Sequence, residues 1–519
     1  MRRADPRRRA RAAAALALGG ALAVLASCGG AGGGSASTGV GPPKPGQLLA
    51  APIEDRAYTS SDLLSMLSGN SDAGRLMLLA TFLPVCSVTV YSLQYETVGG
   101  RGEPTTASAA LMVPKGLSPN CLGPRPVVLY AHGTAVEKSF DIAHLSSSIE
   151  GLLMASVFAA SGYIVVAPNY AGYDDSTLPY APYLVADQQA ADMTNALAAA
   201  RSAFPGVGAL ESGKVFVTGY SQGGYVALAT LRAMQSQGIA VTAAGPMSGP
   251  YALSAFADAV FMGEVNGSAT ANFTMIVDAY QHTYGNVYSS ATGVFEPQYA
   301  NGIETLFPAT TTAGNLYAQG LLPQDALFSR TPPAPQYAAM TPAVTPASLA
   351  PVFALGFGPD NLVTNTYRLN YLEDAQAHPD GGFPTVTTDE PPSNPANGLR
   401  QDFARNDLRD FDPSVPVLLC AGQNDPEVFY FDTGLMQRYW AAHAPGSPVT
   451  VLDVDSAPAA GDPYADIQYG FAAAKAAVAA AAVAHGATDG GEAAVLSDYH
   501  AGLVPPFCLY AVKEFFDRQ

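Results

Sequence analysis

Residues Lys214–Gly223 read KVFVTGYSQG and lead into an apolar run from Tyr225 to Leu231. The first five residues are typical of a buried strand, and the run after the glycine predicts a helix. Gly219 and Gly223 stand two positions before and two positions after Ser221, where they let the chain turn sharply without a Cβ clash. A strained turn of this kind pushes the serine hydroxyl out towards a substrate. The stretch therefore predicts an α/β fold in which Ser221 is a catalytic nucleophile.

Asp425 and His500 are the two residues expected to activate this serine. Asp425 lies in the loop after the predicted strand Pro416–Cys420, and His500 shortly precedes a predicted final helix. A serine hydroxyl is a poor nucleophile at neutral pH, so it needs a base within hydrogen-bond reach, and a third group must hold that base in the correct tautomer. We therefore expect His500 to take the proton of Ser221, and Asp425 to orient the imidazole.

Other histidines and aspartates compete for these two roles. His132 follows a predicted strand and is expected to shape a loop rather than to act as the base. No motif surrounds the five remaining histidines, which are His144, His282, His378, His443 and His485. Among the aspartates, Asp425 is favoured as the acid because it lies at the carboxyl end of a strand. The alternatives are Asp432, Asp453 and Asp455.

The order of these residues along the chain resembles that of a known superfamily. α/β-Hydrolases place serine, aspartate and histidine in the order found here for Ser221, Asp425 and His500. The segment Ala131–Thr134 follows a predicted strand at the point where that fold places its oxyanion loop. On these residues, the chain resembles the α/β-hydrolase superfamily from about Val88 to its C-terminus.

Within that superfamily, the chain looks like the secreted bacterial lipases and esterases that carry a large cap. The pentapeptide Gly219–Gly223 is also similar to cutinases, although those proteins are much shorter and lack a cap. The resemblance implies that the backbone N–H groups of Gln222 and Thr134 form the oxyanion hole.

Strands and helices alternate along much of the chain, which predicts a mostly parallel sheet with helices on both faces. Strands are predicted at Val88–Val98, Thr105–Pro114, Pro126–Ala131, Tyr163–Pro168, Lys214–Thr218, Ile239–Ala244, Pro416–Cys420 and Pro448–Val454. Helices are predicted at Leu145–Ala160 and Leu184–Phe204, the second ending at Pro205-Gly206. The first two strands are expected to be antiparallel.

The alternation stops between Ser248 and about Asp412, where proline, tyrosine, phenylalanine and threonine become dense. About 160 residues without predicted strands are too many for a loop, and the aromatic content argues against a disordered insertion. The resemblance implies a cap inserted between two late strands. We therefore expect a cap at 248–412 between two parts of the core, 51–247 and 413–519.

The N-terminal residues indicate export. A cluster of arginines between Arg2 and Arg11 precedes the apolar stretch Ala12–Ala26, a pattern typical of a signal peptide at 1–27. Residues 25–28, Leu-Ala-Ser-Cys, resemble a bacterial lipobox, which implies that Cys28 is lipidated and becomes the mature N-terminus; an ordinary cleaved signal is the alternative. Residues 28–50 are predicted to include a flexible tether. We expect a lipid-anchored protein of the bacterial cell envelope, at the outer membrane or cell surface, with release as an alternative.

Composition limits the partners. Net charge is −18, and loss of residues 1–27 removes six arginines and one aspartate, so the mature chain carries about −23. An acidic surface of this size argues against nucleic acid and anionic lipid headgroups as partners. After the leader, no run is predicted to span a bilayer, and the alanine-rich Ala472–Ala484 is predicted to be a surface or packing helix. No cysteine spacing resembles a zinc site, and neither metal nor cofactor is expected.

Four cysteines remain if Cys28 is lipidated, namely Cys86, Cys121, Cys420 and Cys508. An even number in an exported protein suggests two disulfides, for which three connectivities exist. Cys86–Cys121 with Cys420–Cys508 is the favoured pairing, and four buried free thiols are the alternative.

These features favour a serine hydrolase that cleaves carboxylic esters, a lipase or esterase working through an acyl-enzyme on a small-molecule or lipid ester. One alternative is a serine peptidase of the prolyl-oligopeptidase type, which shares the fold but needs a larger N-terminal domain. A non-catalytic surface lipoprotein is another. The oligomeric state is open.

Overall fold

The fold is described from a computed structural model, which covers residues 44–70, 83–386 and 389–519. The predicted signal peptide, the lipidation site Cys28 and most of the predicted tether lie outside the described residues.

In the part of the chain that the structure describes, nine strands form one central sheet, and two short strands pair outside it. Their order across the main sheet is β1-β2-β3-β5-β4-β6-β7-β10-β11. The strands are β1 Ile53–Tyr58, β2 Ser87–Val98, β3 Pro104–Lys115, β4 Arg125–Ala131, β5 Ile164–Pro168, β6 Glu211–Tyr220, β7 Ala243–Met247, β8 Phe328–Ser329, β9 Phe357–Gly358, β10 Val417–Ala421 and β11 Val449–Asp453.

The sheet is antiparallel at one edge and parallel from there onwards. Strands β1, β2, β3 and β5 pair antiparallel. The strands from β5 through β4, β6, β7 and β10 to β11 run parallel. The carboxyl ends of the parallel strands therefore meet at one edge, as predicted, and this edge carries Ser221 and the loop of Asp425.

Helices cover both faces of this sheet, and those between residues 253 and 405 lie in a segment inserted between β7 and β10. They are α1 Ser60–Asn70, α2 Ile149–Val157, α3 Ala186–Val207, α4 Gln222–Ser236, α5 Leu253–Phe261, α6 Ala269–Tyr284, α7 Pro297–Ala300, α8 Ala313–Ala318, α9 Ala350–Leu355, α10 Asn365–Ala377, α11 Gly398–Arg405, α12 Phe431–His443, α13 Ala465–Ala484, α14 Glu492–Asp498 and α15 Val504–Asp517.

Alternating side chains of each strand enter different halves of the core. Leu129, Val217 and Leu419 belong to one buried cluster, which also contains residues of α3 and α4. Their chain neighbours Val128, Phe216 and Leu418 belong to the other cluster, with residues of α2 and α15. Successive strand side chains point to opposite faces, so strands buried on both sides read as nearly continuous apolar runs.

Several predicted element ends were wrong, and α2, for example, begins at Ile149 rather than Leu145. Strand β7 begins at Ala243 rather than Ile239, because Ile239 N–H still closes the end of α4 on the Met234 carbonyl. Helix α3 continues through Pro205 to Val207, since a proline lacks one N–H donor but its φ suits a helix. It stops at Gly208, whose φ of +65° is left-handed.

An insertion of helices and short strands occupies residues 248–416, between β7 and β10. It holds α5 to α11 and the pair β8–β9, although no strand was predicted there. Its aromatic residues Phe261, Phe273 and Phe328 pack in the same buried cluster as Val217 of the sheet. Buried ion pairs tie it together as well, for example Arg400 with Asp258 at 2.7 Å. This burial is why so long a stretch is ordered.

Two disulfides join Cys86 to Cys121 and Cys420 to Cys508, which is the favoured pairing. The second bond ties β10, which precedes Asp425, to α15, which follows His500. Disulfides persist outside the reducing cytosol, so these bonds indicate an extracytoplasmic protein.

The predicted tether differs from the structure at its C-terminal end, and the alanine-rich segment 472–484 belongs to a longer helix. The predicted tether ends at residue 50, yet Gly46 N–H and Leu49 N–H donate to carbonyls of β2, so residues 46–49 are bound to the core. Helix α13 is 20 residues long and, among the described helices, is the one apolar enough to cross a membrane by length and composition. Its side chains Ile467 and Phe471 are buried in the core cluster with α15, and this packing accounts for it as a surface helix.

Candidate active site

Ser221 sits on a strained turn between β6 and α4. Its φ of +59° and ψ of −122° lie outside the regions that L-residues favour. The two flanking glycines make the turn possible, because a Cβ on Gly219 would lie 2.2 Å from the Gly223 carbonyl oxygen. A Cβ on Gly223 would lie 2.0 Å from the Ala131 carbonyl oxygen. Close backbone approach therefore requires glycine at both positions.

The structure brings Ser221, His500 and Asp425 into one chain of hydrogen bonds. Ser221 Oγ is 2.9 Å from Nε2 of His500. Nδ1 of the same ring is 2.7 Å from Oδ2 of Asp425. His500 lies on a single π-helical turn, Tyr499–Leu503, between α14 and α15. These are the distances that proton transfer from a serine to a histidine requires.

Asp425 is fully buried and is held by its own loop. Its Oδ1 accepts hydrogen bonds from Glu427 N–H at 2.9 Å and Val428 N–H at 3.1 Å, which leaves Oδ2 for the histidine.

The competing aspartates bind elsewhere. Asp432 accepts from Ala252 N–H at 3.1 Å, and Asp453 accepts from Gln423 N–H at 3.1 Å. Asp455 accepts from the Tyr499 hydroxyl at 2.7 Å. These bonds hold loops around the site, and only Asp425 among the four contacts His500.

The surroundings of His500 change its proton affinity. Burial alone lowers its pKa, but the negative charges of Asp425, Glu427 and Glu150 outweigh burial, so the pKa lies above its ordinary value. Tyr220 donates its hydroxyl to the His500 carbonyl at 2.5 Å, which holds the turn in place.

Of the other histidines, His132 is fully buried, and burial lowers its pKa to about 4. It stacks on Tyr170 with ring centroids 4.1 Å apart, and its Nδ1 is 2.6 Å from the Gly133 carbonyl oxygen. These contacts fit its predicted role in the loop between β4 and Thr134.

Thr134 and Gln222 line the same cavity as Ser221, and both have a backbone N–H. Across the described ranges, neither N–H has a hydrogen-bond acceptor, whereas Gly133 N–H donates to the Glu150 carboxylate. Thr134 is fixed further by its hydroxyl, which is 2.8 Å from that of Tyr183. Two unused donors beside the serine can bind a negatively charged oxygen.

A cavity of about 840 Å³ opens over the serine. Part of its wall comes from the insertion, including Leu253, Phe256, Val260, Phe261, Phe273 and Ile276. Another part comes from the core, including Ile149, Leu153, Met154 and Leu509. A mostly apolar wall with a few polar groups at one point is typical of a small-molecule site. Among the described residues, no group of three or more histidine, cysteine or acidic side chains could hold a metal ion.

Sequence reasoning missed two carboxylates in this cavity, those of Glu150 and Glu427. Glu150 is the one charged residue in the apolar helix α2, and a lone charge in such a helix could have marked it as a functional residue. Its place in the first turn, where an acid suits the helix dipole, offered an ordinary explanation. Glu427 follows Asp425 by two residues and carries no motif.

Known structures resemble this chain closely in fold. No protein-family model matches it, and no curated protein sequence matches it. The crystal structure of the rice cell wall degrading esterase LipA from Xanthomonas oryzae has 27% sequence identity and a TM-score of 0.63, over 82% of this chain and 95% of LipA. A ligand-bound form of LipA has 24% identity and a TM-score of 0.66, over 92% of this chain and 100% of its own.

A putative hydrolase from Legionella pneumophila has 18% identity and a TM-score of 0.60, over 91% of this chain and 98% of its own, and this likeness shows the shared fold alone. The likeness to LipA covers most of both chains. The chain has the α/β-hydrolase fold and is a carboxylic-ester hydrolase.

Proposed function

We propose that Ser221, His500 and Asp425 form a catalytic triad that cleaves carboxylic esters through an acyl-enzyme. The observation that carries this proposal is the pair of hydrogen bonds that link the serine to the histidine at 2.9 Å and the histidine to the aspartate at 2.7 Å.

In the first half of the reaction, Ser221 Oγ bonds to the ester carbonyl carbon while its proton passes to Nε2 of His500. The negative charge moves to the carbonyl oxygen, where N–H groups of Gln222 and Thr134 would hold it. When the intermediate collapses, the bond to the alcohol breaks, and His500 gives the alcohol oxygen its proton. Asp425 stabilises the imidazolium that forms in between.

Water completes the reaction. It gives a proton to Nε2 of His500 as its oxygen bonds to the acyl carbon. The second tetrahedral intermediate then releases the carboxylic acid, and the proton returns to Ser221 Oγ.

We further propose that residues 248–412 act as a cap that supplies the acyl-binding surface. The apolar residues that α5 and α6 contribute to the cavity wall support this. Burial of apolar surface is worth about 25 cal/mol per Å², so such a wall favours esters with an apolar acyl chain. A lipase or esterase activity on small-molecule or lipid esters follows.

The mature protein is proposed to be anchored in the bacterial cell envelope through a lipid on Cys28. The lipobox-like residues 25–28 and the arginine-rich leader support this, and the two disulfides agree with an extracytoplasmic location.

The decisive experiment compares the wild type with Ser221→Ala on p-nitrophenyl esters and with a fluorophosphonate probe. The variant should lose about 10³-fold or more in kcat, the scale found when members of a triad are removed, and it should not be labelled. A purified variant with near wild-type turnover would refute the triad. Aminoacyl-amide substrates cleaved faster than esters would favour a peptidase instead.

A further inference from the structure

Glu150 occupies an unusual place for a carboxylate. It stands in the first turn of α2, next to the apolar residues Leu152, Leu153 and Met154, which are buried. Its side chain forms part of the cavity wall that contains Ser221 and His500. The mechanism above assigns it no step.

Among the described residues, the hydrogen bonds of its carboxylate all come from the strand and loop that lead to Thr134. Gly133 N–H donates to both carboxylate oxygens, at 3.1 and 3.0 Å. The Tyr130 hydroxyl donates to Oε2 at 2.6 Å. The contact is tight, since a Cβ on Gly133 would lie 3.0 Å from Oε1 of Glu150. The carboxylate thus fixes the peptide group between His132 and Gly133. This peptide directly precedes the one that carries the unbound N–H of Thr134.

We propose that Glu150 is a positioning residue for the ester hydrolysis proposed above: by binding Gly133 N–H, it holds the loop so that Thr134 N–H points at the oxyanion. The inference rests on that proposed function. Preorganised donors stabilise developing charge without a reorganisation cost, so a loop whose Gly133 N–H is already bound outperforms one that must be ordered during reaction.

The charge of Glu150 has a second effect, on His500. The titratable groups that face it are Tyr130, Tyr170, Tyr220 and His500. Burial raises the pKa of Glu150, while the bonds from Tyr130 and Gly133 and the charge on His500 oppose that rise. Its negative charge in turn favours protonated His500. Neutralising Glu150 should therefore lower the pKa of His500.

The test compares Glu150→Leu, Glu150→Gln and Tyr130→Phe with the wild type. Leucine removes both acceptors, so kcat should fall by about 10²-fold or more, the scale of one lost oxyanion donor, with KM little changed. A trifluoromethyl ketone, which forms an oxyanion on the serine, should bind more weakly by a similar factor. Glutamine keeps one acceptor, so it should cost less than about tenfold and move the acidic limb of the kcat/KM profile to lower pH.

Glu427→Gln is the matched control. Glu427 also faces His500 in this cavity, but its carboxylate binds Asn266 and Ser268 of the insertion rather than the oxyanion loop. This variant should also move the acidic limb of the kcat/KM profile to lower pH. The affinity for the trifluoromethyl ketone should not fall by more than KM changes.

Each outcome decides the question. A folded Glu150→Leu enzyme with wild-type kcat and ketone affinity would overturn the inference. If that variant does not fold, Glu150→Gln and Tyr130→Phe decide instead, and wild-type kcat, ketone affinity and pH profile in both would overturn it. A wild type that neither cleaves esters nor reacts with a fluorophosphonate refutes the proposed function itself, which is a different result.

Discussion

At the scale of single residues, the site depends on strain and on buried charge. The turn at Ser221 holds an unfavourable φ of +59° because the surrounding backbone is packed against it. Asp425 is fully buried, and its two oxygens are divided between its own loop and His500. This division fixes the imidazole with Nε2 towards the serine.

Replacement of Asp425 by asparagine should lower kcat by about 10⁴-fold with the fold intact. An amide in this position offers an N–H to Nδ1 and stabilises the wrong tautomer. Steady-state kinetics give the loss, and near-ultraviolet circular dichroism checks the fold. Asp432→Asn is not a suitable control because Asp432 is fully buried. Asp453→Asn is the control: the carboxylate of Asp453 binds Gln423 N–H, and this variant should lose far less kcat than Asp425→Asn. Equal losses in the two variants would contradict the assignment.

On the acidic side of the pH profile, the pH at which kcat/KM falls to half should lie above the ordinary histidine pKa of about 6.5. His500 acts as a base only when neutral, and its pKa is raised because Asp425, Glu427 and Glu150 outweigh the effect of burial. Activity is therefore full above this pKa and is lost as pH falls through it. A kcat/KM profile on an acetate ester measures the limb. A limb below the ordinary value would show that burial dominates instead.

At the scale of elements, the insertion determines how long an acyl chain fits. Phe256 of α5 lines the cavity and packs on Phe429, with ring centroids 5.2 Å apart. It is half-buried, so a polar substitution changes the wall without opening the deep core.

With the wild type, kcat/KM should rise from C2 to at least C4 esters and fall once the cavity is full. Each added CH₂ is worth up to about 0.8 kcal/mol, or roughly fourfold, when fully buried. Phe256→Ser should flatten this rise while hydrolysis of acetate esters stays largely intact.

Phe411→Ser provides the control for that prediction, because Phe411 is also half-buried but packs on Trp440 and takes no part in the cavity wall. It should leave the chain-length profile unchanged. The same profile in all three proteins would show that α5 does not line the acyl site.

The disulfide Cys420–Cys508 should stabilise the protein by about 4.6 kcal/mol, because it closes a stretch of 88 residues and so restricts the unfolded chain. The double variant Cys420→Ala, Cys508→Ala should therefore show a lower Tm and an earlier denaturant midpoint. The disulfide Cys86–Cys121 closes only 35 residues, so its loss should lower the free energy of unfolding by slightly less than loss of Cys420–Cys508. The difference should be under about 1 kcal/mol. An unchanged Tm in the first variant would contradict this estimate.

At the scale of the whole molecule, an acidic enzyme is proposed to be attached to a membrane by its N-terminus alone. The net charge is −18 over the full chain, so anionic headgroups repel the protein surface. Under this proposal, attachment would come from a hydrophobic lipid on Cys28.

Cys28→Ser should move the protein from the membrane fraction to the soluble fraction without altering kcat or KM on soluble esters. The lipid is the proposed anchor, and residue 28 is far along the chain from Ser221. Fractionation shows the change in partitioning, and mass spectrometry of the wild-type N-terminus shows the acyl groups. A wild-type N-terminus without acyl groups would refute anchoring.

Local signals in the sequence were sufficient for much of the fold. The strand, glycine and serine pattern at Lys214–Gly223 predicted the turn, since only glycine fits beside the backbone of β4. Apolar runs predicted the parallel strands because strands buried on both faces need apolar side chains throughout. The ends of helices and strands were predicted less well, as for the strand expected to begin at Ile239 and the helix expected to end before Pro205. Hydrogen bonds to neighbouring segments decide where a helix or strand stops.

Only the tertiary structure decided which distant groups meet. Four aspartates were candidates for the acid, and the way the loop after β10 packs against the turn of His500 brings Asp425 alone among them into contact with the imidazole. Glu150 reached the cavity through packing of α2, and Glu427 reached it because its loop packs against the insertion; neither residue stands in a recognisable motif. Sequence patterns report the local backbone and the side of an element that is buried, whereas contacts across some 280 residues, as between Ser221 and His500, depend on how the whole core packs.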